Sequence, residues 1–261
     1  MNRYHSPGAF IQYISAEALG SAAVHHPYLC ALREGDLPNV DLAFKDFAFQ
    51  YGFYSTAFIR YVSAVIQNLS NAEHKQILLC NLAEEQGNNH DLDLPPDVLA
   101  SVIGQSHASL YRRFQEALGI DANYLKTTQP SQTSLSWSRQ FLQICQVNAC
   151  AGIGAIGIGT ELIVSRIYDQ ILEGLDAHSH LTMTQRVFFD LHSKCDDQHA
   201  AKLLLIAEEL AQSPTACEQI EYGTRKAIDM RVAFWDKMLE RAHGFPVSTS
   251  PSIEKLSAFE Y

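Results

Sequence analysis

Strand-like alternation is what this 261-residue chain most lacks. Apolar and polar residues almost never alternate over the roughly four to eight positions that a half-buried strand needs. A sheet-based fold is therefore not expected. Its absence removes the dinucleotide-binding architecture that Gly152, Gly154 and Gly157 suggest by their G-x-G-x-x-G spacing, with Glu173 at about the distance of a ribose-binding acid. Cysteine pairing is also missing. Cys30, Cys80, Cys145, Cys150, Cys195 and Cys217 form no C-x-x-C pair and no dense framework, so they read as reduced thiols of a cytoplasmic protein and not as a zinc or disulfide scaffold.

Basic residues are in deficit, with 19 Lys and Arg against 29 Asp and Glu and a net charge of −10. Phosphate backbones and anionic lipid surfaces reward a positive face, so neither nucleic acid nor a membrane is an expected partner. "MNRYHSPGAF" has neither the length nor the apolar run of a signal peptide. The longest apolar stretch, 141 to 164, is interrupted by Gln143, Gln146, Asn148 and Glu161, and no transmembrane span is expected. With 47% hydrophobic residues and no shift in composition, one domain over 1–261 is expected, ordered from about 9 to 244. The tail 245–261, with two prolines and four serines, reads as loose.

What is present is helical periodicity. Helices are expected over 9–24, 39–69 and, after Ser70 or Asn71 as cap, to about Gln86. "GNNHDLDLPPD" is a loop, followed by a short turn at 97–103. Ser106 caps a helix that closes at Gly119. Residues 134–174 read as one long helix, possible to bend in its glycine-rich middle; Thr182 or Thr184 opens another to Gln212, and Ser213 and Pro214 a last one to Gly244. Ala149, Ala151, Gly152, Gly154, Ala155, Gly157 and Gly159 remove side-chain bulk, as a helix does where another backbone comes close.

The strongest chemical signal is "HSKCDDQH", 192 to 199. His192, Asp196 and His199 stand at i, i+4 and i+7, on one helix face, in line with Phe188 before them and Leu203 and Ile206 after. Two imidazoles and a carboxylate on an apolar stripe are costly to bury unless partnered, and a metal compensates them. Singly, each has a blander explanation as a hydrogen-bonded core residue. Asp197 and Cys195 lie off that line. Other polar residues stand on apolar stripes elsewhere. Glu85 follows Leu78 and Leu82, with its neighbour Glu84 turned more outward. Glu161 lies between the small-residue patch and Val164, Tyr168 and Ile171, with a salt bridge to Arg166 as the competing explanation. His107 heads the stripe Leu110, Tyr111, Phe114 and Leu118, and is preferred over His90, which sits in a proline-containing loop. The pairs His25/His26 and His178/His180 read as loop or surface residues. Three histidines and three carboxylates without thiolate suit iron or manganese. The paired Glu-x-x-His motifs of ferritin-like bundles are absent.

These residues resemble the haem-oxygenase-like di-iron oxidases, a family sharing its fold with TenA thiaminases and the quinone-cofactor synthase PqqC. The resemblance runs from about His25 to Ala207. It is carried by "AFIRYVSAVIQNL", by "LLCNLAEEQG" with the first glutamate, by "HASLYRRFQEALG" with its opening histidine, by "TELIVSRI" with the second glutamate, and by the closing H-x-x-x-D-x-x-H. It implies an all-α, haem-oxygenase-like (TenA/PqqC-type) bundle of about seven to eight helices. By the same analogy Glu85, His107 and His192 bind one Fe(II), and Glu161, Asp196 and His199 the other, with manganese an alternative at one site. O2 is the implied co-substrate, with an external electron donor and a homodimeric state.

Tyr28 falls where an aminobenzoate-synthesising member has the tyrosine it consumes, but Ile171 stands near the place of the partner lysine. N-oxygenating members add a carboxylate near Ile59, and this chain has no acid between Phe47 and Leu69. The expected reaction is therefore oxidation of a small carboxylate, amino acid or fatty acid by C–C cleavage, decarboxylation or desaturation. Arg60 and Arg166 are candidates to hold the carboxylate by fork geometry, with surface ion pairs as their ordinary alternative. The rival readings are a metal-free TenA- or PqqC-like enzyme and a non-catalytic binding protein of the same fold.

Overall fold

The computed structural model describes residues 6–88 and 94–248, the side chains of 193–198 excepted. Helices begin where a side chain can accept the first free backbone N–H groups. Ser6 caps α1 (Pro7–Leu19), His26 caps α2 (Pro27–Glu34) and Asn39 caps α3 (Val40–Ser55). After α4 (Phe58–Asn68), Asn71 caps α5 (Ala72–Glu85). The short α6 (Pro96–Val102) precedes α7 (His107–Ala117), which Ser106 caps. Asp121 caps α8 (Ala122–Thr127) and Ser131 caps α9 (Gln132–Val147). A helical rod then runs from α10 (Ala149–Ile153) through a π-helical segment, Gly154–Glu161, into α11 (Leu162–His178). A Thr182/Gln185 capping box opens α12 (Met183–Leu210), and Ser213 caps α13 (Pro214–His243).

The described residues contain no strand, and more helical segments than seven or eight. The expected helix over 39–69 is broken at Thr56 and Ala57, where the Thr56 hydroxyl takes up the Gly52 carbonyl. The expected helix over 134–174 is broken at Asn148. This residue is extended (φ −169°, ψ 174°), and its side chain accepts from the Ala151 N–H, so the chain restarts as a new helix. Pro27–Glu34 adds a helix between the expected first and second ones, closed by Gly35 at φ 73°. The tail is anchored at its start: Phe245 packs on the core and the Ser248 N–H donates to the Pro38 carbonyl.

The rod from α10 to α11 is the axis of the fold. α13 lies along α10 and the π-helical segment, while α12 and α2 flank α11 and α7 closes over α12. Ala149–His178 is apolar and long enough to cross a membrane, but 78% of its apolar window is buried inside the fold. All eight residues of the π-helical segment are buried.

The small-residue patch does what its composition suggests. A methyl group on Gly154 would stand 2.2 Å from the Ile220 carbonyl oxygen, and one on Gly223 would stand 2.0 Å from that of Ala151. The two backbones touch, and the Thr224 hydroxyl donates across the contact to the Gly154 carbonyl at 3.0 Å. Because neither backbone can yield without moving a whole helix, Gly223→Ala is expected to lower unfolding free energy by about 3 kcal/mol, read by chemical denaturation. An unchanged midpoint would show that α13 is free to shift.

Candidate metal centre

Three helices bring three donors to one point. Glu85 is the last residue of α5, His107 the first of α7, and His192 sits mid-α12; all three are buried or nearly so. Their ligating atoms lie within 4.8 Å of one another. His107 Nδ1 is 3.1 Å from Glu85 Oε2 and 3.1 Å from His192 Nε2, and Glu85 Oε1 is 3.9 Å from His192 Nε2.

Proton placement follows from the partners. The Phe188 carbonyl can only accept, so His192 Nδ1, 2.6 Å away, is the donor. Its Nε2 then keeps a lone pair aimed at the cluster, the arrangement by which a carbonyl orients a metal-binding imidazole. Burial first, and then the adjacent His107, push the His192 pKa down to about 3, so the ring is neutral. A carboxylate likewise only accepts, so His107 Nδ1 donates to Glu85. Burial opposes ionisation of Glu85, but the surrounding histidines outweigh it and its pKa lies below the ordinary value. A divalent ion held by these donors would take the place of the His107 proton, so its loading would depend on pH.

A second group flanks the first. Glu161 is 6% exposed at the end of the π-helical segment; burial, resisted by His199 and reinforced by Glu85, pushes its pKa up to about 7. His199, about two turns along α12 from His192, bonds through Nε2 to the Glu84 carboxylate. Burial works against its protonation, but Glu84, Glu161 and Glu85 together raise its pKa. Glu84, turned outward in the sequence reading, is thus the half-buried partner of His199, whose hydrogen bond lowers the Glu84 pKa. The side chain of Asp196 and residue His90 lie outside the described residues.

Members of both groups, Glu85 and His192 of the first and Glu161 of the second, line a cavity of about 30 Å³, room on the order of two waters. Glu85, Glu161 and His192 form one side, and Tyr51, Tyr54, Thr160, Tyr168, Val164 and Phe188 most of the rest. The substrate candidates from sequence are elsewhere. Arg60 and Arg166 are exposed and line no part of this cavity, and Glu161 has no ion pair with Arg166. Tyr28 is fully buried against Trp235, with its hydroxyl directed to the Ala43 carbonyl. The buried cation near the cavity is Arg231, whose guanidinium holds the Tyr51 and Tyr54 hydroxyls. Its signal was in the sequence: Ala227, Arg231, Phe234 and Met238 stand on one stripe of α13, an arginine in a core position. His26 is buried too, as the cap of α2, and not a surface residue.

Comparison with known proteins gives the same direction. A 4-aminobenzoate synthase of Chlamydia muridarum is 21% identical over 89% of this chain and 91% of its own length. A domain of unknown function with a haem oxygenase-like fold from Shewanella denitrificans superposes with a TM-score of 0.67 at 13% identity, covering 88% of this chain and 89% of that one. A TenA homologue from Pseudomonas syringae gives 0.69 at 13%, covering 88% and 91%. Residues 45–232, which contain every donor described above, match the sequence profile of the iron-containing redox enzymes. With a haem-oxygenase-like helical fold and a buried histidine–glutamate cluster inside the matched span, the chain belongs to that family of iron-containing redox enzymes.

Proposed function

We propose that the protein is a non-haem di-iron oxidase that uses O2 to oxidise a small carboxylate, amino acid or fatty acid. The observation that carries this reading is the convergence of Glu85, His107 and His192 within 4.8 Å, with Glu85, His192 and Glu161 lining one cavity and His199 electrostatically linked to Glu161. Imidazole and carboxylate donors without thiolate suit Fe(II), with manganese an alternative at one position. Glu85, His107 and His192 would hold one ion, and Glu161, Asp196 and His199 the other. Bound iron supplies the electrons that O2 needs to react with a C–H or C–C bond, and an external donor restores them.

The remaining work falls to the chain. Phe188 fixes the His192 tautomer through its carbonyl, and Glu84 holds His199 from the outer side. Phe188 and Val164 give the cavity an apolar wall next to the donors and leave room for a small reacting group. The relative's named activity, 4-aminobenzoate synthesis, is a less suitable reading. Tyr28 is stacked on Trp235 away from the cavity lining, and Ile171, which the resemblance puts near the place of the partner lysine, is a buried apolar residue.

Anaerobic addition of Fe(II) to the purified chain, then O2, is expected to show uptake of two irons and a visible absorption transient. O2 consumption should rise with one class in a panel of carboxylates, amino acids, fatty acids and amines. Retention of no iron or manganese would leave the metal-free, TenA-like reading in its place.

A further inference from the structure

Arg231 is the most deeply buried cation among the described residues, 1% exposed, and no carboxylate among them lies within 4.0 Å of its guanidinium. The Glu161 carboxyl feels this charge only through space, with no direct bond to it, and a buried guanidinium with no carboxylate bonded to it calls for a further acceptor. Nη1 donates to the Tyr51 hydroxyl and Nη2 to the Tyr54 hydroxyl, each at 3.4 Å, and the guanidinium lies 5.2 Å over the Trp137 ring. Guanidinium groups only donate, so both tyrosine oxygens are used as acceptors on that side. Tyr54 shares one further hydrogen bond with Thr160, at 3.2 Å. Whichever of the two donates in it, the other hydroxyl keeps a proton with no acceptor among the described residues. Arg231 Nε and Trp137 Nε1 are two more buried donors without a partner. The Tyr51 hydroxyl has a second partner in the Tyr168 hydroxyl at 2.9 Å, so the surplus of donors over acceptors falls at Tyr54, Thr160, Arg231 and Trp137.

We propose that the Arg231–Tyr51–Tyr54–Thr160 wall is the carboxylate-recognition element of the substrate site, with Arg231 as the positioning cation behind the tyrosines. The inference rests on the cavity being a substrate site, as in the oxidase reading, and names how the substrate is held. Tyr51, Tyr54 and Thr160 line the same cavity as Glu85, Glu161 and His192. An anionic head seated on the donors therefore presents its adjacent carbons to the histidine–glutamate cluster. The space of about 30 Å³ takes a head group of that size, with Phe58, Val164 and Phe188 beside it for an apolar remainder.

The test uses acetate and propanoate as probes on the full chain stripped of metal by chelation. The chain's two tryptophans, Trp137 and Trp235, both contact the Tyr51–Tyr54–Arg231 group and report binding by fluorescence. Saturable binding of both carboxylates is expected, with none of acetamide or ethylammonium. Arg231→Met should weaken binding at least about tenfold while leaving the thermal midpoint unchanged or raised, because an unpaired buried charge is removed. A purely structural arginine would instead lower the midpoint and leave affinity untouched in Arg231→Lys. Tyr54→Phe, which deletes one hydroxyl and keeps the ring, carries the same expectation if the arginine variant does not fold. Equal binding of acetamide would overturn the proposal. So would carboxylate binding that survives Arg231→Met and Tyr54→Phe but is lost in His199→Gln, because the anion would then sit on the histidines. No iron is added, so failure of the oxidase reading would appear separately, as absent iron retention with carboxylate binding intact.

Discussion

His192→Ala is expected to lower Fe(II) retention by more than about a hundredfold, since even residues that only orient metal ligands are worth about 10- to 100-fold. His192 contributes the one lone pair whose direction is already fixed before metal arrives: its Nδ1 proton is committed to Phe188, and its ring is neutral at every pH above about 3. No neighbouring group can replace it, because His107 and Glu85 already face the same point from α7 and α5. Metal content after gel filtration reads the loss. The pH profile of the metal-free protein provides a control with a definite sign. The folded pKa of His192, about 3, lies below its unfolded value, so the unfolded chain binds the extra proton. That difference favours unfolding as pH falls from about 6.5 toward 3 and disappears above it. The alanine variant should therefore lose stability less steeply in acid than the parent, although the vacated ring lowers its stability near neutrality. Parallel acid profiles would mean that His192 is not buried neutral, and undiminished iron content would remove the basis of the proposed centre.

How much of this was legible in the sequence depends on where each residue gets its position. His192 and His199 were readable because spacing along one helix places them without help from the rest of the fold, in line with Phe188 and Ile206. The glycine patch was readable as a packing device, since small residues on one face have few other uses. Its π-helical winding was not, because that depends on how closely Ile220 and Gly223 of α13 approach. Glu84 and Glu85 show the limit well: both stand at the end of α5, and only the return of α12 decides that Glu85 meets His107 while Glu84 meets His199. Tyr51 and Tyr54 were invisible for a different reason. α3 is buried on almost every face, so no polar residue there stands out against an apolar stripe. Arg60 and Arg166 were chosen for their chemistry alone; their helices turn them outward, and the arginine on a core stripe is Arg231.

Glu161→Gln is expected to stabilise the metal-free protein above neutral pH and to weaken the metal-loaded one. The carboxylate is buried on a π-helical segment packed on all sides, with its pKa pushed up to about 7 chiefly by that burial. A folded pKa above the unfolded value of 4.5 means the folded state binds the extra proton in between. Its contribution to stability is complete below about 4.5 and lost as pH rises through 7, where the group must ionise inside the fold. The full difference is at most about 3 kcal/mol, and coupling to His199 and Glu85 reduces what is realised. Glutamine keeps the shape and removes the ionisation. At pH 8 the variant without metal should therefore melt ~4–8 °C above the parent, an advantage that shrinks to nothing at pH 5. On the proposed di-iron reading, bound cations would supply what the ionised carboxylate lacks in the metal-free state, so with excess Fe(II) the order should reverse. Thermal melts of parent and variant at both pH values, with and without metal, give four differences to compare. An advantage for glutamine that persists at pH 5 would trace it to packing, and one that survives iron loading would place Glu161 outside the metal centre.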